Sequence, residues 1–171
     1  MPITIYEFGE LSDEAKSIAL NTFRYINVDC NWHETVCEDA EVIGLKITEF
    51  DIDRNTIKGH LKQDFLDVCR LIRKNHGKDT ETRDTAKKYL KEYIAEYYRY
   101  RGNDTQNLPD LLKGFQCEDE AKDIEIDFAL ALLEDYFIML RREYEYLTSD
   151  EAVKESIELN EMKFLENGNV T

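Results

Sequence analysis

The stretch at positions 45–61, LKITEFDIDRNTIKGHL, decides the class of fold that the sequence predicts. Its first nine residues alternate between apolar and polar types, a pattern typical of a strand with one buried and one solvated face. The apolar set moves from odd to even numbers near Thr48 and Glu49, which predicts a β-bulge there. Asp53-Arg54-Asn55 supplies turn residues, and Ile57-Lys58-Gly59-His60-Leu61 alternates again. The stretch therefore predicts an antiparallel β-hairpin.

Outside the hairpin, the sequence predicts helices and two short strands. Ile3–Phe8 is rich in β-branched and aromatic residues, and Met162–Leu165 is a short run of mostly apolar residues, so each predicts a strand. The longest helix is expected over Cys117–Leu147, and its segment Phe128–Leu133 is apolar nearly all round, which indicates a buried central helix. We therefore expect an α+β fold with a small antiparallel sheet of about four strands packed with about six helices, in a single domain over residues 1–171.

The charge of the chain is strongly negative and unevenly distributed. There are 37 acidic and 22 basic residues, giving a net charge of −15. Residues 1–60 carry a net charge of −7 and residues 102–171 carry −12, whereas residues 61–101 carry +4. An acidic surface repels phosphate backbones and anionic lipid heads, so we expect no direct nucleic-acid or membrane binding. Such charge commonly serves solubility, and it also suits a surface that meets a basic partner protein.

Targeting signals and cysteine spacing bear on the cellular location. The N-terminal residues show no basic region followed by an apolar stretch, and no window approaches the ~18 apolar residues of a membrane span. The four cysteines, Cys30, Cys37, Cys69 and Cys117, have no spacing typical of a disulfide framework, which favours reduced thiols. We therefore expect a cytoplasmic protein.

Local motifs of the common catalytic sites are missing from the sequence. It contains no glycine-rich phosphate loop, no serine elbow and no HExxH. Its three histidines lie in no local constellation with Ser, Cys or Asp, so the sequence offers little for acid–base chemistry. We therefore predict a non-enzymatic protein with no catalytic residue and no cofactor.

Cys30, His33 and Cys37 are one candidate metal cluster, because on a helix these positions share a face. A structural zinc site normally needs four ligands from separated segments, and no second pair lies nearby. We therefore favour ordinary core and surface positions for these three residues over a metal site, since cysteine is among the most buried residue types.

Glu49, Asp51 and Asp53 are a second candidate, because a spacing of two on a strand projects all three carboxylates from one face. Paired carboxylates can hold divalent cations, and His60 on the partner strand is a further donor. The alternation of the hairpin also demands polar residues at these positions, so a solvated face is the favoured interpretation. A metal-dependent hydrolase or nuclease accessory stays open as an alternative.

A basic, tyrosine-rich helix is expected over residues 80–101, with Thr80 as its cap. Tyr89, Tyr93, Tyr97 and Tyr100 follow one another at helical spacing and form a single stripe. Aromatic rings among basic residues can clamp single-stranded nucleic acid. The favoured interpretation is a packing face against the long acidic helix, and the next is a protein-binding face.

Eight segments of the chain carry a resemblance to a known family. They are Ile5–Lys16 (IYEFGELSDEAK), Asn27-Val28-Asp29, Trp32, Asp39-Ala40, Ile43–Ile47 (IGLKI), Phe50–Arg54 (FDIDR), Leu133–Tyr136 (LEDY) and Arg142–Ala152 (REYEYLTSDEA). Together they resemble a family of small acidic proteins from phages and other bacterial mobile elements, often labelled "antitoxin of toxin–antitoxin stability system". The resemblance spans nearly the whole chain. It implies a bacterial cytoplasm and a protein that acts by binding.

The expected function is direct binding and inhibition of a bacterial host protein. The partner would be a defence effector, such as a CRISPR-Cas protein, or a toxin. A DNA-mimicking decoy is a further alternative, and it requires carboxylates spaced like phosphates. Self-association of the chain is left open. The predicted partner contacts are acids and tyrosines, namely Glu49, Asp51, Asp53, Glu118, Asp119, Glu120, Tyr97 and Tyr98.

Overall fold

The computed structural model describes the backbone of residues 4–101 and 120–171, and the side chains of residues 4–99 and 122–171. This part of the chain forms six α-helices and one two-stranded antiparallel sheet, which confirms the α+β class and the long helix in the C-terminal half. The elements in chain order are a 3-10 turn (Phe8–Glu10), α1 (Asp13–Thr22), α2 (Glu34–Val42), β1 (Leu45–Asp51), β2 (Thr56–Leu61), α3 (Phe65–Asn75), α4 (Glu81–Arg101), α5 (Glu120–Leu147) and α6 (Asp150–Leu159). None of the described helices is both long and apolar enough to cross a membrane.

The hairpin forms as predicted. β1 pairs with β2 from Leu45 opposite Leu61 to Asp51 opposite Thr56. The register shifts between Ile47 and Glu49, which confirms the expected bulge. The bulge lets the apolar set change parity while it stays on the buried face.

The predicted sheet of about four strands is wrong for the described residues, because the two outer runs do not form ladders. Tyr6 and Phe164 make one isolated bridge, with backbone hydrogen bonds of 2.9 Å in both directions, and Phe164 makes another with Val170. A ladder cannot extend past Tyr6 because the chain turns into the 3-10 segment at once. There the Glu7 and Glu10 side chains bond each other's backbone N–H groups in a capping box.

Two compact units make up the chain, and the first consists of Met1–Glu34 and Arg141–Thr171. Its core is built from seven buried residues: Phe8, Leu11, Ala15, Ala19, Val153, Ile157 and Phe164. The Ser12 and Ser149 hydroxyls cap α1 and α6 by accepting bonds from backbone N–H groups three residues on. Both helices begin with Ser-Asp-Glu, a sequence that by itself predicts an N-cap followed by acids in the first turn.

The second unit, Thr35–Leu140, holds the hairpin, α3, α4 and most of α5. In its core Phe65 lies 4.9 Å from Tyr93 and 4.8 Å from Phe128 between ring centroids. Tyr89 also packs on Phe128, which confirms the packing interpretation for this part of the tyrosine stripe. The expected single domain over residues 1–171 stays a prediction.

Candidate functional site

Two large apolar side chains of α5 face solvent. Ile126 is 57% exposed and Leu130 is 59% exposed. In contrast, Phe128, which lies between them in the sequence, and Leu132, which follows Leu130, are fully buried. Residues four apart on a helix lie on the same side, so the two form one apolar surface. The expectation that the whole apolar segment of α5 is buried is therefore wrong at Leu130.

Together with β2, these side chains border a groove of about 350 Å³. Its lining comes from the hairpin and from one side of α5: Gly59, His60, Leu61, Lys122, Glu125, Ile126, Ala129, Leu130 and Leu133. Because Gly59 has no side chain, β2 can lie close to both β1 and α5 at this position. A Cβ atom at this position would lie 2.3 Å from the Lys46 carbonyl oxygen and 2.8 Å from Leu133 Cδ2.

Negative charge is concentrated next to the apolar surface. Residues 122–140 contain five acids and a single base, Lys122. The pKa of Glu125 is raised, mainly because partial burial strips water from its carboxylate and also because Asp64 lies nearby. Asp127 and Glu134 stand at helical spacing from Leu130 and so lie on the same side of α5. We call Ile126, Leu130, Glu125 and Asp127 the apolar–acidic face.

The carboxylates predicted from the hairpin are not all on one strand. β1 ends at Asp51, so Asp53 lies in the turn that follows. Glu49 forms an ion pair with Lys58 at 2.8 Å, and Asp51 forms one with Arg54 at 3.6 Å. Among the described residues, no group of three or more His, Cys, Asp or Glu could hold a metal ion. This part of the chain therefore gives no geometric support to the metal interpretation of the hairpin acids, nor to that of the cysteine and histidine set.

The two predicted tyrosines lie near the end of α4. Tyr97 is buried and Tyr98 is half-buried, with their rings edge to face at 5.8 Å between centroids. Burial of Tyr97 favours a packing role, whereas the partner contacts stay a prediction. Glu118, Asp119 and the side chain of Glu120 lie outside the described residues. So does Gly102–Gly114, where a proline, two asparagines and two glycines predict a loop.

A partly buried polar cluster in the second unit, formed around His76, was not predicted from the sequence. The His76 side chain, at the turn between α3 and α4, is only 8% exposed. Its Nδ1 atom lies 2.7 Å from Thr82 Oγ1, and its Nε2 atom lies 3.4 Å from Asp39 Oδ2. Only the short separation of His76 and Thr82 in the chain could have pointed to the cluster, because Asp39 and its neighbour Tyr136 join it from distant helices.

Comparison with known proteins adds no further constraint. No family model, no curated protein and no solved structure matches the chain. The family resemblance drawn from the sequence therefore stays a prediction, and a functional proposal has to rest on the site's own chemistry.

Proposed function

We propose that the protein is a non-enzymatic binding protein that inhibits a basic bacterial protein by direct contact through the apolar–acidic face. The observation that carries the proposal is the exposed pair Ile126 and Leu130 beside the desolvated carboxylate of Glu125. A few apolar anchors supply most of the energy of a typical interface, and charges around them select the partner. This combination suits a partner that presents an apolar pocket bordered by Lys or Arg.

The charge at Glu125 favours a cationic partner for a specific reason. In the unbound chain the Glu125 carboxylate is partly dehydrated and repelled by Asp64. A lysine or arginine from a partner would offset both penalties on binding. Proteins that hold nucleic acid carry such basic surfaces. The inferred target is therefore a nucleic-acid-handling host protein, such as a defence nuclease or a toxin, and the resemblance to phage and mobile-element proteins supports this setting.

The test is affinity capture with three versions of the full chain, the wild type, Leu130→Glu and Leu159→Glu. Leu159 is also exposed but is not part of the apolar–acidic face and belongs to the other unit, so its variant makes the same change of charge at a different exposed leucine. Lysates of bacteria that express defence nucleases and toxins would be passed over each, and bound proteins quantified by mass spectrometry. We expect one stoichiometric basic partner with the wild type and Leu159→Glu, and its loss with Leu130→Glu.

Inhibition would then be measured on the purified partner. Wild-type protein should suppress the partner's activity at a one-to-one ratio, and Leu130→Glu should suppress it at least ~10-fold less effectively. A partner that binds all three versions equally would contradict the proposed face. Binding that falls steeply with salt and competes with DNA would instead support a DNA-mimicking decoy.

A further inference from the structure

A cavity of about 280 Å³ lies between α3 and α4, and none of the residues of the apolar–acidic face lines it. Its apolar wall is formed by Cys69, Ile72, Ala86 and Leu90. Burial raises the pKa of the Cys69 thiol to about 12, so the thiol stays neutral at pH 7 and adds to this wall. Replacement of water by an apolar chain at such a wall is favourable. The cavity therefore suits a ligand with an apolar part.

Positive charge borders the same cavity. Three cationic side chains, Arg73, Arg83 and Lys87, belong to its lining, and the described lining includes no acid. The chain as a whole has the opposite balance, with 37 acids and 22 bases. Lys87 forms an ion pair with Asp84 at 2.8 Å, whereas Arg73 and Arg83 have no ion pair within the described part of the chain. An anionic group is therefore favoured beside these two arginines.

The end of α3 holds the Arg83 guanidinium in place. Its Nη1 atom donates to the Arg73 carbonyl oxygen at 2.8 Å and to the His76 carbonyl oxygen at 3.0 Å. A guanidinium has further N–H donors at Nε and Nη2, and among the described residues these make no hydrogen bond. Such a pair of donors matches the two oxygens of a carboxylate. Because Arg83 is already held, binding of a carboxylate costs little side-chain entropy.

We propose that this cavity binds a medium-chain alkyl carboxylate, with its carboxylate at Arg73 and Arg83 and its chain against the apolar wall. A cavity of about 150 Å³ is enough for benzene, so 280 Å³ has room for a chain of about eight carbons. An apolar pocket with a few polar groups between helices is a common form of small-molecule site. The seven described lining residues are far fewer than the roughly 20–30 that a protein partner covers, which favours a small molecule.

The test titrates full-length protein, ¹³C-labelled at its isoleucine methyl groups, with sodium octanoate below its micelle concentration. Ile72→Val, Ile126→Val and Ile157→Val identify the three reporter signals by their loss. Octanoate should give a saturable shift of the Ile72 methyl signal. The Ile157 signal, from the core of the other unit, and the Ile126 signal, from the apolar–acidic face, should stay in place.

Ligand controls separate the charge from the chain. Octylammonium and octan-1-ol have an eight-carbon chain without a negative charge, so each should bind at least ~10-fold more weakly than octanoate. Acetate has the charge without the chain, so it should give no saturable shift of Ile72. These comparisons use the wild-type protein and do not depend on the folding of any variant.

Two variants connect the shift to the arginines. Arg73→Gln should weaken octanoate binding at least ~5-fold, because it removes one cation from the cavity. The Arg73 side chain is exposed and has no hydrogen bond or ion pair among the described residues, so its loss should leave the fold intact. Lys74→Gln is the matched control. It makes the same change of charge at the next residue of α3, which is not in the described lining, and should leave binding nearly unchanged.

The other possible occupant is an acidic segment of a protein, and the blocked dipeptide N-acetyl-leucyl-glutamic acid amide stands for it. Weaker binding of this peptide than of octanoate would support the alkyl carboxylate, and tighter binding would overturn the proposal in favour of a protein contact. The absence of a saturable shift of Ile72, an equal shift of Ile126, equal binding of octylammonium, or unchanged binding by Arg73→Gln would each overturn it as well.

Discussion

The Tyr136 hydroxyl donates a 2.7 Å hydrogen bond to Asp39 Oδ2, and so joins the buried side of α5 to α2. Burial, together with the Asp39 carboxylate, raises the pKa of Tyr136, so the hydroxyl stays protonated and remains a donor at neutral pH. The Tyr136 side chain is fully buried, so its hydroxyl depends on Asp39 as its hydrogen-bond acceptor.

Replacement of this tyrosine, Tyr136→Phe, should lower the free energy of unfolding by about 1–2 kcal/mol. The ring stays in the core, so the loss reports the hydrogen bond to Asp39 and not a cavity. Urea denaturation, monitored by circular dichroism, measures this loss of stability. Tyr146→Phe is the matched control, because Tyr146 is largely exposed, and a loss no larger than that of the control would contradict the prediction.

Gly59→Ala should destabilise the protein by about 1–3 kcal/mol, because the new methyl group meets the Lys46 carbonyl and Leu133. Gly9→Ala is the control. A Cβ atom at Gly9 meets nothing within 4 Å, so the change in stability should stay within about 0.5 kcal/mol. Thermal unfolding of both variants measures the difference, and equal melting temperatures would show that β2 and α5 do not approach as closely as the structure has them.

Local patterns in the sequence predicted the hairpin, its bulge and the helix starts. Each of these features is encoded within a few neighbouring residues: the parity change near Thr48 sets the bulge, and Ser12 and Ser149 set the caps. Features that depend on distant contacts were not predictable in the same way. Tyr6 and Phe164 form a single β-bridge. A short run of residues with high strand propensity predicts a strand equally well whether it goes on to form one bridge or a full ladder.

Exposure of Leu130 and assembly of the His76 cluster show the same limit. A segment that is apolar all round indicates burial on every side, but only the packing of neighbouring elements shows which side stays open. Asp39 and Tyr136 stand 97 residues apart in the chain, and nothing in the spacing of either residue indicates their hydrogen bond. The apolar–acidic face and the His76 cluster therefore became visible only in three dimensions.

The Cys69 thiol should resist alkylation in the native protein. Burial raises its pKa to about 12, so almost none of it is the reactive thiolate at pH 7.5. Cys30 is exposed and should react with N-ethylmaleimide at least ~100-fold faster. Peptide mass spectrometry over time measures both rates, and the difference should vanish in denaturant. Equal native rates would show that the core around Cys69 opens readily.

Glu125→Gln should stabilise the unbound protein and lower its affinity for a partner. The pKa of Glu125 is raised in the fold, mainly by desolvation and further by Asp64, so its ionised form disfavours folding. This penalty is complete above the folded-state pKa, and it disappears below the unfolded value of about 4.3, where the group is protonated in both states. Because the side chain is only partly buried and solvent still screens its charge, the gain at pH 7 should be about 0.5 kcal/mol or less.

Chemical denaturation of Glu125→Gln at pH 7 and at pH 4 measures this gain, which should be present at pH 7 and shrink towards zero at pH 4. Asp123→Asn, an exposed acid on the same helix, is the control and should change stability at neither pH. With the partner identified by capture, Glu125→Gln should bind more weakly than the wild type although it is the more stable protein, because the partner's cation loses its carboxylate. If the variant gains stability and still binds as well as the wild type, the Glu125 carboxylate is desolvated in the fold but contributes nothing to binding. Glu125 would then not belong to the partner-binding surface.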